Sequence, residues 1–146
     1  MMGFRFSLAA VLRVRDSLAR QEEARLQAAQ QAWVAARAAL ETCQAEQLAF
    51  RQCNAADLRA GGTGAELEFA AACQRTLARR EQALALRSAE LEAARQERHA
   101  AYLRARRDLR AIETLRDQQR AAYEAAQARR AQQAQDELSV LRRSRP

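Results

Sequence analysis

Three of the four glycines stand in one tetrapeptide, Gly61-Gly62-Thr63-Gly64, and the only proline is the last residue, Pro146. Residues 4–60 and 65–145 therefore contain neither of the residue types that break helices most strongly. Glycine tolerates positive φ and loses the most conformational freedom on folding, so such a cluster marks a turn. Thr63 followed by Glu66 has the spacing of a capping box: the hydroxyl takes a free amide at a helix start, and the carboxylate reaches back to the Thr63 amide. The pattern predicts two very long helices joined by one tight turn: a first helix over about residues 7–58, the turn at 61–64 and a second helix over about residues 65–141. At about 1.5 Å per residue these would run to roughly 75 and 110 Å.

Composition supports helix and argues against a wide core. Of the 49% apolar residues about half are alanine, 37 in all, and aromatics are only 5%. Alanine has the best helix propensity and buries almost nothing. A chain rich in Ala, Glu, Arg, Leu and Gln reads as a coiled coil. The fold class expected is thus all-α: a long two-helix antiparallel coiled-coil hairpin, a single coiled-coil domain spanning residues 1–146.

The heptads carry that expectation further. On the first helix, Leu12, Ala19, Leu26, Trp33 and Leu40 recur at sevens, beside Leu8, Arg15, Glu22, Ala29, Ala36, Cys43 and Phe50. Ser7 is the expected N-cap, between Phe6 and Val11 at the spacing of a hydrophobic staple. On the second helix, Leu77, Leu84, Leu91, Arg98, Ala105 and Ile112 keep strict sevens. One flanking row is Cys73, Arg80, Arg87 and Ala94; the other is Arg95, Tyr102, Leu109, Arg116 and Tyr123. His99 falls on or beside the seam. A short turn makes the helices antiparallel neighbours, so facing residue numbers sum to roughly 125. Leu40 then meets Leu84, Trp33 meets Leu91, Leu12 meets Ile112, and Cys53 stands near Cys73. From about Arg120 onward the second helix overhangs the first.

All 25 basic residues are arginine and the net charge is +7, which favours acidic partners. Glutamates intersperse the arginines on both helices, which argues against nucleic acid as that partner. Three cysteines without a CxxC argue against a disulfide framework or a zinc site. No phosphate-binding loop, nucleophile elbow or catalytic constellation is present, so no enzyme activity and no cofactor are expected. No apolar run approaches the length of a transmembrane helix.

The opening Phe4-Arg5-Phe6-Ser7-Leu8-Ala9-Ala10-Val11-Leu12-Arg13-Val14-Arg15, continued by Gln21-Glu22-Glu23-Ala24 and Leu26, resembles the start of the flagellar export stalk family (FliJ-like). Glu113-Thr114-Leu115-Arg116, Tyr123 and Asp136-Glu137-Leu138 resemble that family's C-terminal pattern. Injectisome stalk proteins of the YscO type share the architecture. The resemblance implies a protein of the flagellar type III export apparatus, cytoplasmic and peripheral at the inner membrane, with a role in flagellum assembly and motility. It implies a central stalk that binds the hexameric export ATPase and its regulator and couples them to the cytoplasmic domain of the export gate, with export chaperones as further partners. The ring contacts it implies match Phe6, Leu8, Leu12, Arg15, Arg116, Arg120 and Tyr123. The gate contacts match Cys43, Phe50, Cys73 and Leu77, near the turn. Of the aromatic residues the family places there, this chain keeps Phe50. The rival functions are a generic coiled-coil scaffold or export chaperone, and an arginine-rich nucleic-acid-binding coiled coil.

Overall fold

The structure, a computed structural model, describes residues 3–144. Arg145 and Pro146, expected past the end of the second helix, lie outside the described residues. The chain forms two helices, α1 (Ala9–Arg59) and α2 (Gly64–Arg143), packed against each other as an antiparallel hairpin. The described residues contain no strand.

Each end of the helices has a local cause. The Ala9 amide donates to the Phe6 carbonyl and the Leu12 amide to the Leu8 carbonyl, so α1 begins at Ala9 and Leu8 holds the N-cap position, one residue past the expected Ser7. It closes where Ala60 donates to Ala56 and Asp57, and Gly61 donates to Leu58. Gly61 has φ +92°, a left-handed conformation that a side chain would strain. Both arms of the capping box then form. The Thr63 amide donates to Glu66 Oε2 at 2.9 Å, and the Glu66 amide donates to Thr63 Oγ1 at 3.4 Å. At the far end of α2, the Ser144 amide donates to the Val140 carbonyl, and Arg142 and Arg143 place positive charge where the helix dipole is negative.

The residues group into two compact units: Glu22–Tyr102, which contains the turn, and Met1–Gln21 with Leu103–Pro146. In the turn-containing unit, the covered positions of α1 step by alternating threes and fours through Leu26, Ala29, Trp33, Ala36, Leu40, Cys43, Gln47, Phe50 and Asn54. The first heptad row thus continues from Leu40 into Gln47 and Asn54. On α2 the covered positions include Ala70, Leu77, Glu81, Leu84, Ser88, Leu91, Arg95 and Tyr102, with Ala71, Cys73, Glu92 and Ala101 half-buried beside them. The second row therefore runs through Glu81, Ser88 and Arg95. Arg80, Arg87, Ala94 and Arg98 are exposed, and so is His99, which was expected on or beside the seam. A leucine row needs one companion row to face a neighbouring helix, and the one that carries Tyr102 and Leu109 further along buries more apolar area.

Cross-helix contacts lie on or beside the expected diagonal. Within the turn-containing unit, Gln44 Nε2 donates to Glu81 Oε1 at 3.1 Å and Arg80 pairs with Glu46 at 3.4 Å. The Cys43 thiol points at the Leu77 carbonyl, with sulfur and oxygen 4.0 Å apart. Arg95 and Arg37 stack over the Trp33 ring at 4.9 and 5.5 Å. Within the other unit, Arg15 reaches Asp108 at 2.9 Å, and Phe4 packs on Tyr123 with ring centroids 5.7 Å apart. Cys43, Cys53 and Cys73 are all free thiols. Among the described residues only Ala19, Cys43, Gln47, Ala70 and Leu109 are fully inside, as expected of a two-helix seam with no third layer.

Candidate functional site

The turn-containing unit exposes apolar side chains where its seam thins. Phe50 lies half-buried between the helices, and a cavity of about 690 Å³ opens from it toward the glycines, lined by Cys53, Leu58, Leu67 and Phe69 among others. A shallower apolar depression of about 520 Å³ joins Phe50, Phe69, Cys73 and Leu77. Of the four positions expected at a gate contact, Phe50, Cys73 and Leu77 share that depression. Cys43 does not: it is 0% exposed, so its side chain packs the seam that holds Leu77 in place. The sequence reading missed Phe69, which is 72% exposed beside Phe50. Its signal was legible, because Phe69 falls immediately before the covered Ala70 and so off both heptad rows. An aromatic residue off the seam has no intramolecular place to go.

The other unit brings together all seven positions expected at a ring contact. Phe6, Leu8 and Leu12 are half-buried along the start of α1. Arg15 is held by Asp108, Arg116 by Asp117 and Arg120 by Glu124, each pair partly exposed. Tyr123 stacks on Phe4. Phe4 thereby extends the pairing to Tyr123, and from Glu124 to Ser144 every residue is exposed. Leu138, Val140 and Leu141 are among them. A second apolar stripe missed by the heptad reading, Val11, Val14 and Leu18, lies exposed on α1 at helical spacing.

Charge divides between the units in a way the total hides. Residues 1–21 and 103–146 hold 15 arginines against seven Asp and Glu, a net +8; residues 22–102 hold ten against eleven, a net −1. Arg104, Arg106, Arg107 and Arg110 crowd one exposed stretch of α2. Such a surface attracts carboxylates or phosphates.

Among the described residues no cluster of three or more His, Cys, Asp and Glu is placed to hold a metal ion, and no helix is long and apolar enough to cross a membrane. No curated protein and no solved structure matches the chain. A family described as the flagellar FliJ protein matches residues 4–146, nearly the whole chain. The heptad seam, the single capped turn and that match lead to one conclusion: the chain belongs to the FliJ family of flagellar export proteins.

Proposed function

We propose that the chain is the central stalk of the flagellar export ATPase. Residues 1–21 and 103–146 bind the hexameric ring, and the surface around Phe50 and Phe69 binds the cytoplasmic domain of the export gate. The observation that carries the ring assignment is the concentration of charge: the unit formed by both chain ends has a net +8, and its helix continues past Tyr123 with every described residue exposed. Arginine forks suit carboxylates on the wall of a pore. The role is mechanical and allosteric: an asymmetric helix pair touches unlike faces of successive ATPase subunits and biases ring assembly and turnover. The regulator of the ATPase and the export chaperones are further partners on this reading, and the protein acts at the inner membrane without inserting in it.

The test is direct. Purified protein raises the hydrolysis rate of the cognate ATPase and co-elutes with its ring. A protein that does neither is not the stalk. The same arginine concentration favours one second reading, a nucleic-acid-binding coiled coil. Gel shifts across a salt series decide it, because phosphate contacts release counterions and binding would fall steeply.

A further inference from the structure

The unit built from both chain ends leaves large aliphatic side chains open on one flank of its helix pair. Val11, Val14 and Leu18 are 39%, 57% and 41% exposed. Val11 stands four residues before Arg15 and Leu18 three after it, so the stripe lies on the Arg15 side of α1. Arg15 crosses to Asp108 of α2 at 2.9 Å, and that ion pair marks the side of the hairpin on which the stripe lies. On α2, Arg104 precedes Asp108 by four residues and Ala111 follows it by three, so both share that side. Arg107 follows Arg104 by three and lies at its outer edge. Neither Arg104 nor Arg107 is in an ion pair among the described residues. The flank is therefore aliphatic along α1 and cationic along α2, with small Ala111 leaving room between.

This pattern selects an occupant. Apolar side chains at i, i+3 and i+7 are the spacing by which one helix receives another. The charge decides which helix. A second copy of this unit, itself at net +8, would set arginine against arginine, whereas carboxylates meet the unpaired guanidiniums. Because the two walls differ, the incoming helix also has one preferred rotation: apolar face to α1, acidic edge to α2.

We propose that this flank seats, as a third helix, an amphipathic helix of the export ATPase with an acidic edge. Its apolar face packs on Val11, Val14 and Leu18, and its carboxylates pair with Arg104 and Arg107. The proposal rests on reading this unit as the ring-binding end.

The experiment titrates the purified cognate ATPase with the full-length chain. Val14→Asp weakens binding by about 10- to 100-fold, the range expected when a buried aliphatic side chain is lost. Leu18→Gln does the same, so the result does not depend on one variant's fold. Val34→Asp, at a position 51% exposed in the other unit, leaves binding unchanged. The double variant Arg104→Gln, Arg107→Gln weakens binding and flattens its salt dependence. Benzoylphenylalanine in place of Val14 crosslinks to an ATPase segment that carries Asp or Glu along one edge of a helix. Undiminished binding in the Val14, Leu18 and arginine variants, or a crosslink to a segment without carboxylates, overturns the helix seat and leaves the ring reading standing. Flotation with vesicles of phosphatidylglycerol and phosphatidylethanolamine should not distinguish wild type from Val14→Asp; vesicle binding lost in that variant overturns the seat in favour of a membrane surface. An ATPase that fails to bind wild type overturns both the seat and the ring reading.

Discussion

Trp33 shows how single residues set the seam. The guanidiniums of Arg95 and Arg37 both stand over its ring, and Arg95 is in turn gripped by Glu92 through contacts of 2.6 and 2.9 Å. The hydrogen bonds from Arg95 hold the Glu92 carboxyl below its ordinary value of 4.5, against a smaller opposing effect of burial. The same bond raises the Arg95 guanidinium. The sign follows from the direction. A carboxylate whose pKa is depressed in the fold stabilises the fold fully above its ordinary pKa, and that contribution is lost as pH falls through the depressed value. NMR titration of the Glu92 carboxyl carbon is expected to show a midpoint below 4.5, and Glu92→Gln to flatten the acid limb of Tm against pH. A midpoint at the ordinary value would refute this arrangement. The thiols offer a second check at this scale. Cys53 is exposed, Cys73 half-buried and Cys43 fully buried. Reaction with an aromatic disulfide reagent should follow that order, with Cys43 silent until denaturant is added. Trp33 was legible as a seam residue, because spacing alone places it on a row. Its contact with Arg95 was not, since Arg95 comes from the other helix and only pairing brings it there.

At the scale of the elements, the turn shows which glycine matters. Gly61 adopts a left-handed φ, and Gly61→Ala is expected to cost about 1 kcal/mol or more, read by denaturant midpoint. Gly64 begins α2 with open space where a side chain would go, so Gly64→Ala should be neutral or stabilising by up to about 1 kcal/mol. Thr63→Ala removes the hydroxyl that caps α2 and should cost about 1 kcal/mol. If the two glycine variants behaved alike, the turn conformation would be wrong. The capping box was legible because it is local: four consecutive residues contain both partners. The companion row on α2 was not. Cys73, Arg80, Arg87, Ala94 and Glu81, Ser88, Arg95 are equally good sevens on paper. The partner helix breaks the tie, and it covers the second.

At the scale of the molecule, the charge partition and the exposed end of α2 carry the functional argument. Removing residues 124–146 should leave the stability of the remaining hairpin within about 0.5 kcal/mol, because residues 124–144 are all exposed and surface segments add little. On the stalk reading the same truncation lowers stimulation of the ATPase. Replacing Arg104, Arg106, Arg107 and Arg110 with glutamate should weaken ring binding. Wild-type binding should fall as ionic strength rises through 0.15 M, where the Debye length is about 8 Å. Binding indifferent to both would remove the electrostatic basis for the ring contact.

Helix, turn, register and the family follow from the sequence by itself, because all rest on what lies near in the chain: glycine placement, a capping pair and a seven-residue period. A hairpin with one tight turn has only one way to pair, so local information reaches across it. The tertiary structure alone decided which polar residues the seam encloses. Gln47 and Glu81 are covered, Arg15 leans out to Asp108 while Asp16 is half-buried, and Phe69 faces solvent beside Phe50. Those outcomes depend on how two side-chain surfaces fill one another, and that is a property of the pair of helices, which neither helix carries alone.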